Sequence, residues 1–130
     1  MHNMFMARTV RERLKELNID DLFGIKPEIK LLSRLVEAPE AIMAVASGVY
    51  DGKRRMFAVT DTVMLVLHTN VVTGGGYLTV PVDKVAVESW KKGILFGNVV
   101  LNADGKTWVI KNVHKRTILP FVKALGAGTV

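Results

Sequence analysis

The chain of 130 residues contains no cysteine, four prolines and three histidines. Without cysteine there can be no disulfide, no thiolate zinc site and no cysteine nucleophile, and the composition fits a reducing compartment. No apolar run approaches the roughly 20 residues that a membrane-crossing helix needs. The longest runs, residues 41–46 and 63–67, have the length of a strand. Residues 1–6 lack a basic stretch followed by a long apolar one, so no secretory signal is expected and the expected location is the cytoplasm. His2, His68 and His114 show neither His-x-x-x-His nor Glu-x-x-His spacing, and a metal needs ligands that converge at short range. Ser33, Ser47 and Ser89 stand in no nucleophile-elbow context. Asp20, Asp21 and Asp61 read as caps or turn formers. The expectation is a protein with no catalytic residue, no metal and no cofactor.

What is present is an apolar fraction of 49%, that of a chain with a packed core, and a length that gives one domain with an appendage. The net charge of +6 is unevenly placed. Residues 1–40 carry seven basic and seven acidic side chains, residues 41–130 eleven and five, so the whole excess lies in the second part. Such a field draws anionic partners.

Residues 1–40 have helical texture. Val10, Leu14 and Leu17 fall on one helix face. Thr9 and Glu12 have capping-box spacing, and Asn18 suits a helix end because it tolerates the left-handed conformation. A second helix is predicted from Lys26 or Pro27, with Ile29, Leu32, Leu35 and Val36 as its stripe and Pro39 beyond its end.

From residue 41 the texture turns to short strands. Strands are predicted at 41–50, 55–60 and 63–68, the first two joined by an Asp51-Gly52 hairpin. The 63–68 strand looks buried on both faces. Gly74–Gly76 reads as a loop, not a phosphate loop, because a strand and not a helix follows it. Residues 77–83 alternate as a strand whose Pro81 places it at an edge or marks its end. Another strand follows at 85–90, with Lys91, Lys92 and Gly93 as the turn. Residues 95–101 and 107–110 then pair across Asp104-Gly105. Gly93 and Gly97 bracket Ile94, Leu95 and Phe96, read as an amphipathic strand crossing. Residues 113–125 return to helical spacing, with Ile118, Phe121, Val122 and Leu125 on one face, Asn112 as cap and Pro120 forcing a kink or a later start. The fold class is thus mainly β with helices (α+β): a helical extension at 1–40 containing two helices, then a seven-stranded antiparallel barrel at 41–130 capped by a C-terminal helix.

Four segments carry a family likeness: residues 46–52, 58–61, 80–85 and 92–97, continued by 108–113 into the last helix. In their order and spacing they resemble the bacterial pleckstrin-homology (PH) domain families, most closely the YokE-like PH family, over about two-thirds of the chain. The likeness implies the PH fold, a cytoplasmic or membrane-adjacent setting, a tendency to self-associate and no catalytic residues. This sequence departs from the pattern at Thr62 and Val63, where such families usually carry a basic residue soon after the Thr-Asp pair.

The basic clusters are the functional lead. Lys53, Arg54 and Arg55 follow the first hairpin turn, the loop that in lipid-binding PH domains supplies cations to inositol phosphates. Several cationic donors on one short loop can hold a phosphate, arginine bidentately. Lys91 and Lys92 could add to this anion- or lipid-binding site, and Lys111, Lys115 and Arg116 to its field. Single-stranded nucleic acid needs stacking aromatics in a basic groove, but Phe57, Phe96, Trp108 and Phe121 read as core, which leaves Tyr77 and Trp90 exposed. The leading expectation is a non-catalytic interaction or scaffolding module that forms a homo-oligomer or binds a protein partner. Residues 63–67 and 99–101 are more apolar than a barrel strand with one buried face requires, and Met4, Phe5 and Met6 add apolar surface. Anionic phospholipid or phosphate headgroup binding through the first hairpin is the alternative.

Overall fold

The computed structural model describes residues 9–23, 26–69 and 75–126; Met4, Phe5, Met6 and Gly74 lie outside them. The first element among the described residues is α1 (Val10–Glu16), whose start is a complete capping box. The Thr9 hydroxyl accepts from the Glu12 backbone N–H at 3.1 Å, and the Thr9 N–H donates to the Glu12 carboxylate at 2.8 Å. Asn18 takes φ 61° just past the helix, as its small polar side chain allows. Among its described residues the extension holds one more helix than the periodicity predicts. A single turn, α2 (Asp20–Phe23), precedes α3 (Glu28–Leu35) and is too short to leave a periodic stripe.

Pro27 stands just before α3 without a capping hydrogen bond from its side chain, and the helix stops at Leu35 as Val36 turns extended. Pro39, predicted only to follow the helix end, opens a 3-10 turn, Pro39–Ala41, so the first strand starts at Ala44 and not at 41. The strands are β1 (Ala44–Tyr50), β2 (Lys53–Val59), β3 (Val63–His68), β4 (Gly76–Pro81), β5 (Val85–Lys92), β6 (Phe96–Ala103) and β7 (Lys106–His114). They form one antiparallel sheet in the order β4-β3-β2-β1-β7-β6-β5. Its two halves join where Val49 of β1 aligns with Lys111 of β7. The outermost strands are β4, which ends at Pro81, and β5, which carries an irregularity between Val87 and Ser89. Asp51-Gly52 and Asp104-Gly105 each place two residues at positive φ, the demand of a two-residue turn that matches strand twist.

The inner face of the bent sheet holds Phe57, Val66, Val99, Leu101, Trp108 and Ile110, closed over by α4 (Lys115–Ala124) through Ile118, Phe121 and Val122. Phe57 and Phe121 meet edge to face at 6.0 Å, a favoured aromatic geometry. A second core lies on the outer face of β1–β3, where Val45, Met56, Ala58, Leu65 and Leu67 pack under Val10, Leu14, Phe23, Ile29 and Leu32. This explains the unbroken apolar run of β3: both faces are buried, one by the barrel interior and one by the helical extension. The apolar surplus of residues 63–67 is therefore covered within the chain. Arg116 of α4 ties the extension to the barrel, donating from Nη2 to both carboxylate oxygens of Asp21 at 2.7 and 2.6 Å.

α4 starts at Lys115, two residues later than its periodicity predicts, with Pro120 still inside it. Its cap is His114, not Asn112; the His114 Nδ1 accepts from the Arg116 N–H at 3.2 Å. Asn112 belongs to β7, in the left-handed region at φ 56°, where β7 and β6 slip register between Gly97 and Val99.

Candidate functional site

Strand alternation divides the first basic triplet. Side chains two apart share a face, so Arg54 lies on the outer face with Met56, and Lys53 and Arg55 lie on the side of Phe57. Arg54 donates from Nη1 to the Ser47 hydroxyl at 3.1 Å and from Nη2 to the Asn112 carbonyl at 3.2 Å, reaching across from β2 to β7. Arg55 donates from Nε to the Tyr50 carbonyl at 3.0 Å, and its guanidinium lies 5.5 Å from the Tyr50 ring centre. Tyr50 in turn stacks on Trp108 at 4.5 Å. Lys53 is exposed.

Asn112 links this hairpin to the second basic pair. Lys91, Asn98 and Asn112 line one hollow of about 250 Å³ together with Gly93, Phe96 and Gly97. The backbone slip at Asn112 turns the strand aside there, a common effect of a bulge. Arg54 anchors the same residue from behind. The hollow thus takes Lys91 from the second basic pair, while Arg54 of the first triplet stays outside it and reaches only the backbone carbonyl of Asn112, a strand residue and not the helix cap that the sequence predicts.

Lys91 and Lys92 are strand residues, not the turn. The β5–β6 turn lies further on: the Gly93 N–H donates to the Phe96 carbonyl at 2.9 Å, leaving Ile94 and Leu95 at the tip. Ile94 is 87% exposed, Leu95 59%, Phe96 47% and Trp90 40%. This corrects two expectations. Phe96 is not core, and Ile94 and Leu95 form an exposed turn before Phe96 opens β6, not an amphipathic strand crossing. Turn positions are normally filled by Gly, Pro, Asn, Asp and Ser, so an apolar tip reads as a strand. Its footing is firm: the Lys115 N–H donates to the Leu95 carbonyl at 2.9 Å, and the Phe96 ring meets the His114 ring edge to face at 5.9 Å. Residues 89–130 hold seven basic side chains and one acid, Asp104.

His68 ends β3 and His114 caps α4, and among the described residues no group of histidines and carboxylates could hold a metal ion. Among those residues no helix is long and apolar enough to cross a membrane. Phe57, Trp108 and Phe121 are core and Tyr77 and Trp90 exposed, as the sequence predicts.

The family model for the bacterial PH domain matches residues 36–126. No curated protein matches. The match agrees with the PH likeness read from the sequence, while the narrower YokE-like likeness rests on the short segments alone.

Proposed function

The chain belongs to the bacterial PH domain family, whose members are generally non-catalytic interaction modules, and on that premise we propose that it binds phosphate-bearing anions, such as lipid headgroups, at the hollow of Lys91, Asn98 and Asn112. One observation carries the reading: Lys91, Asn98 and Asn112 line the same depression, and Arg54 holds the Asn112 main-chain carbonyl. Amide N–H groups and an ammonium are complementary to phosphate oxygens. The near absence of acids after residue 88 leaves the surrounding field positive. Lys92 and Lys53 strengthen that field, and Arg55, held against Tyr50, contributes from the far face of the hairpin. A cytoplasmic setting belongs to the same proposal.

Titration of the isotopically labelled protein with inorganic pyrophosphate, and separately with a micelle-free short-chain phosphatidic acid, tests it by NMR. The expected result is saturable shifts confined to Lys91, Gly97, Asn98 and Asn112, with affinity reduced at least tenfold in Lys91→Glu. Shifts scattered over the surface, or an unaltered titration in Lys91→Glu, would refute the hollow as the site.

A second reading, assembly with another copy or a protein partner, is favoured by Tyr77 and Leu78 of β4, 55% and 52% exposed. Tyr77 borders a shallow groove with Leu35, Val36 and Val63. Light scattering that returns the monomer mass at every concentration removes self-assembly.

A further inference from the structure

We infer that the β5–β6 hairpin tip enters the headgroup–acyl boundary of an anionic bilayer. Ile94 and Leu95 form the apex with Phe96 beside them, and among the described residues Ile94 and Leu95 are the two most exposed large apolar side chains. Leaving three adjacent apolar side chains in water is unfavourable unless something covers them. Their arrangement matches a membrane surface layer by layer. The apolar residues are outermost; Lys91 and Lys92 stand immediately behind them on β5, and Lys115 lies beside the apex at the base of α4, all three exposed. Trp90 is half-exposed one position further back, and tryptophan favours the interface between acyl chains and water. Ammonium groups at that depth face anionic headgroups, where each adds to attraction. The charge is complementary to an anionic leaflet, since residues 89–103 contain no acid.

The shape also favours a bilayer over a folded partner. The apex is a single protruding turn, stiffened by the Gly93–Phe96 and Lys115–Leu95 hydrogen bonds. A protruding turn penetrates a deformable surface without a matching cleft. The inference rests on the phosphate-binding reading only for the attraction of headgroups; insertion of the apex is a separate contribution.

Co-sedimentation with vesicles of equal parts phosphatidylglycerol and phosphatidylcholine, against pure phosphatidylcholine, tests it together with tryptophan emission. Trp108 is buried, so a change on binding reports Trp90. The expected result is capture by the anionic vesicles with a blue shift, and at least a tenfold loss in the double variant Ile94→Ser, Leu95→Ser. Both sites are solvent-exposed, so circular dichroism should show that fold intact. The pyrophosphate titration should be unchanged in this variant, and Lys91→Glu should lose both. Undiminished capture of the serine variant would overturn insertion and leave the hollow standing; capture that persists while pyrophosphate binds nowhere would leave insertion and remove the hollow. A fall in the solution mass of the serine variant without vesicles would overturn the inference by assigning the tip to a second copy.

Discussion

Gly97 shows how one residue shapes the proposed surface. A Cβ placed there would collide with the Lys91 carbonyl of β5 and lie 2.7 Å from Ile118 Cδ1 of α4. A methyl group would have to displace backbone on one side and core on the other. Gly97→Ala is expected to lower stability by about 1–3 kcal/mol, the usual range for overpacking, and to blunt binding at the neighbouring hollow; urea denaturation and the pyrophosphate titration measure the two effects. Such roles were unevenly legible. The Thr9–Glu12 box, Asn18 and the two Asp-Gly turns were readable because local backbone chemistry alone dictates them. Gly97 was visible as a glycine but not as a point of close approach, because the carbonyl it accommodates comes from the partner strand. The place of Asn112 is hidden for a related reason: its left-handed φ serves a register slip between strands, which leaves no periodic trace.

At the scale of elements, the helical extension acts as the outer lining of β1–β3. Leu14 of α1 and Leu32 of α3 are both fully buried against the sheet. Leu32→Ala should cost about 2–5 kcal/mol, the range for a large-to-small change in a packed core. Circular dichroism during thermal unfolding should show the loss in one cooperative transition if the lining and the sheet unfold together. The strands of this half were legible because β3 reads as a continuous apolar run and β1 and β2 flank a strong turn signal. What covers their outer face was not, since an unbroken run says that both faces are buried without saying by what. The Ile94-Leu95 turn is illegible in the sequence for the opposite reason. Its residues are those of a strand, and only the Gly93–Phe96 hydrogen bond shows where the chain reverses.

At the scale of the molecule, the extension and the barrel are tied at the surface by Asp21 and Arg116. The Arg116 guanidinium, hydrogen-bonded to the carboxylate, is the main influence holding the Asp21 pKa below its ordinary value. A folded-state pKa below the unfolded one means that the stabilisation is complete above the ordinary carboxylate range and is lost as pH falls through the lowered value. Asp21→Asn should therefore reduce stability at neutral pH, converge with the parent protein in acid, and lose much of its effect in high salt because the pair is solvent-exposed. Denaturation midpoints across pH and ionic strength would record this; a constant gap between the two proteins at every pH would assign the effect to something other than the ion pair.

The two outermost strands carry a further consequence. β4 ends at a proline, which has no N–H to offer an incoming backbone, and β5 is kinked and bears two lysines near its end. These are the devices by which sheets discourage ribbon-like growth from one molecule to the next. Crowding many copies on one surface would therefore gather them side by side while resisting their fusion into a fibre.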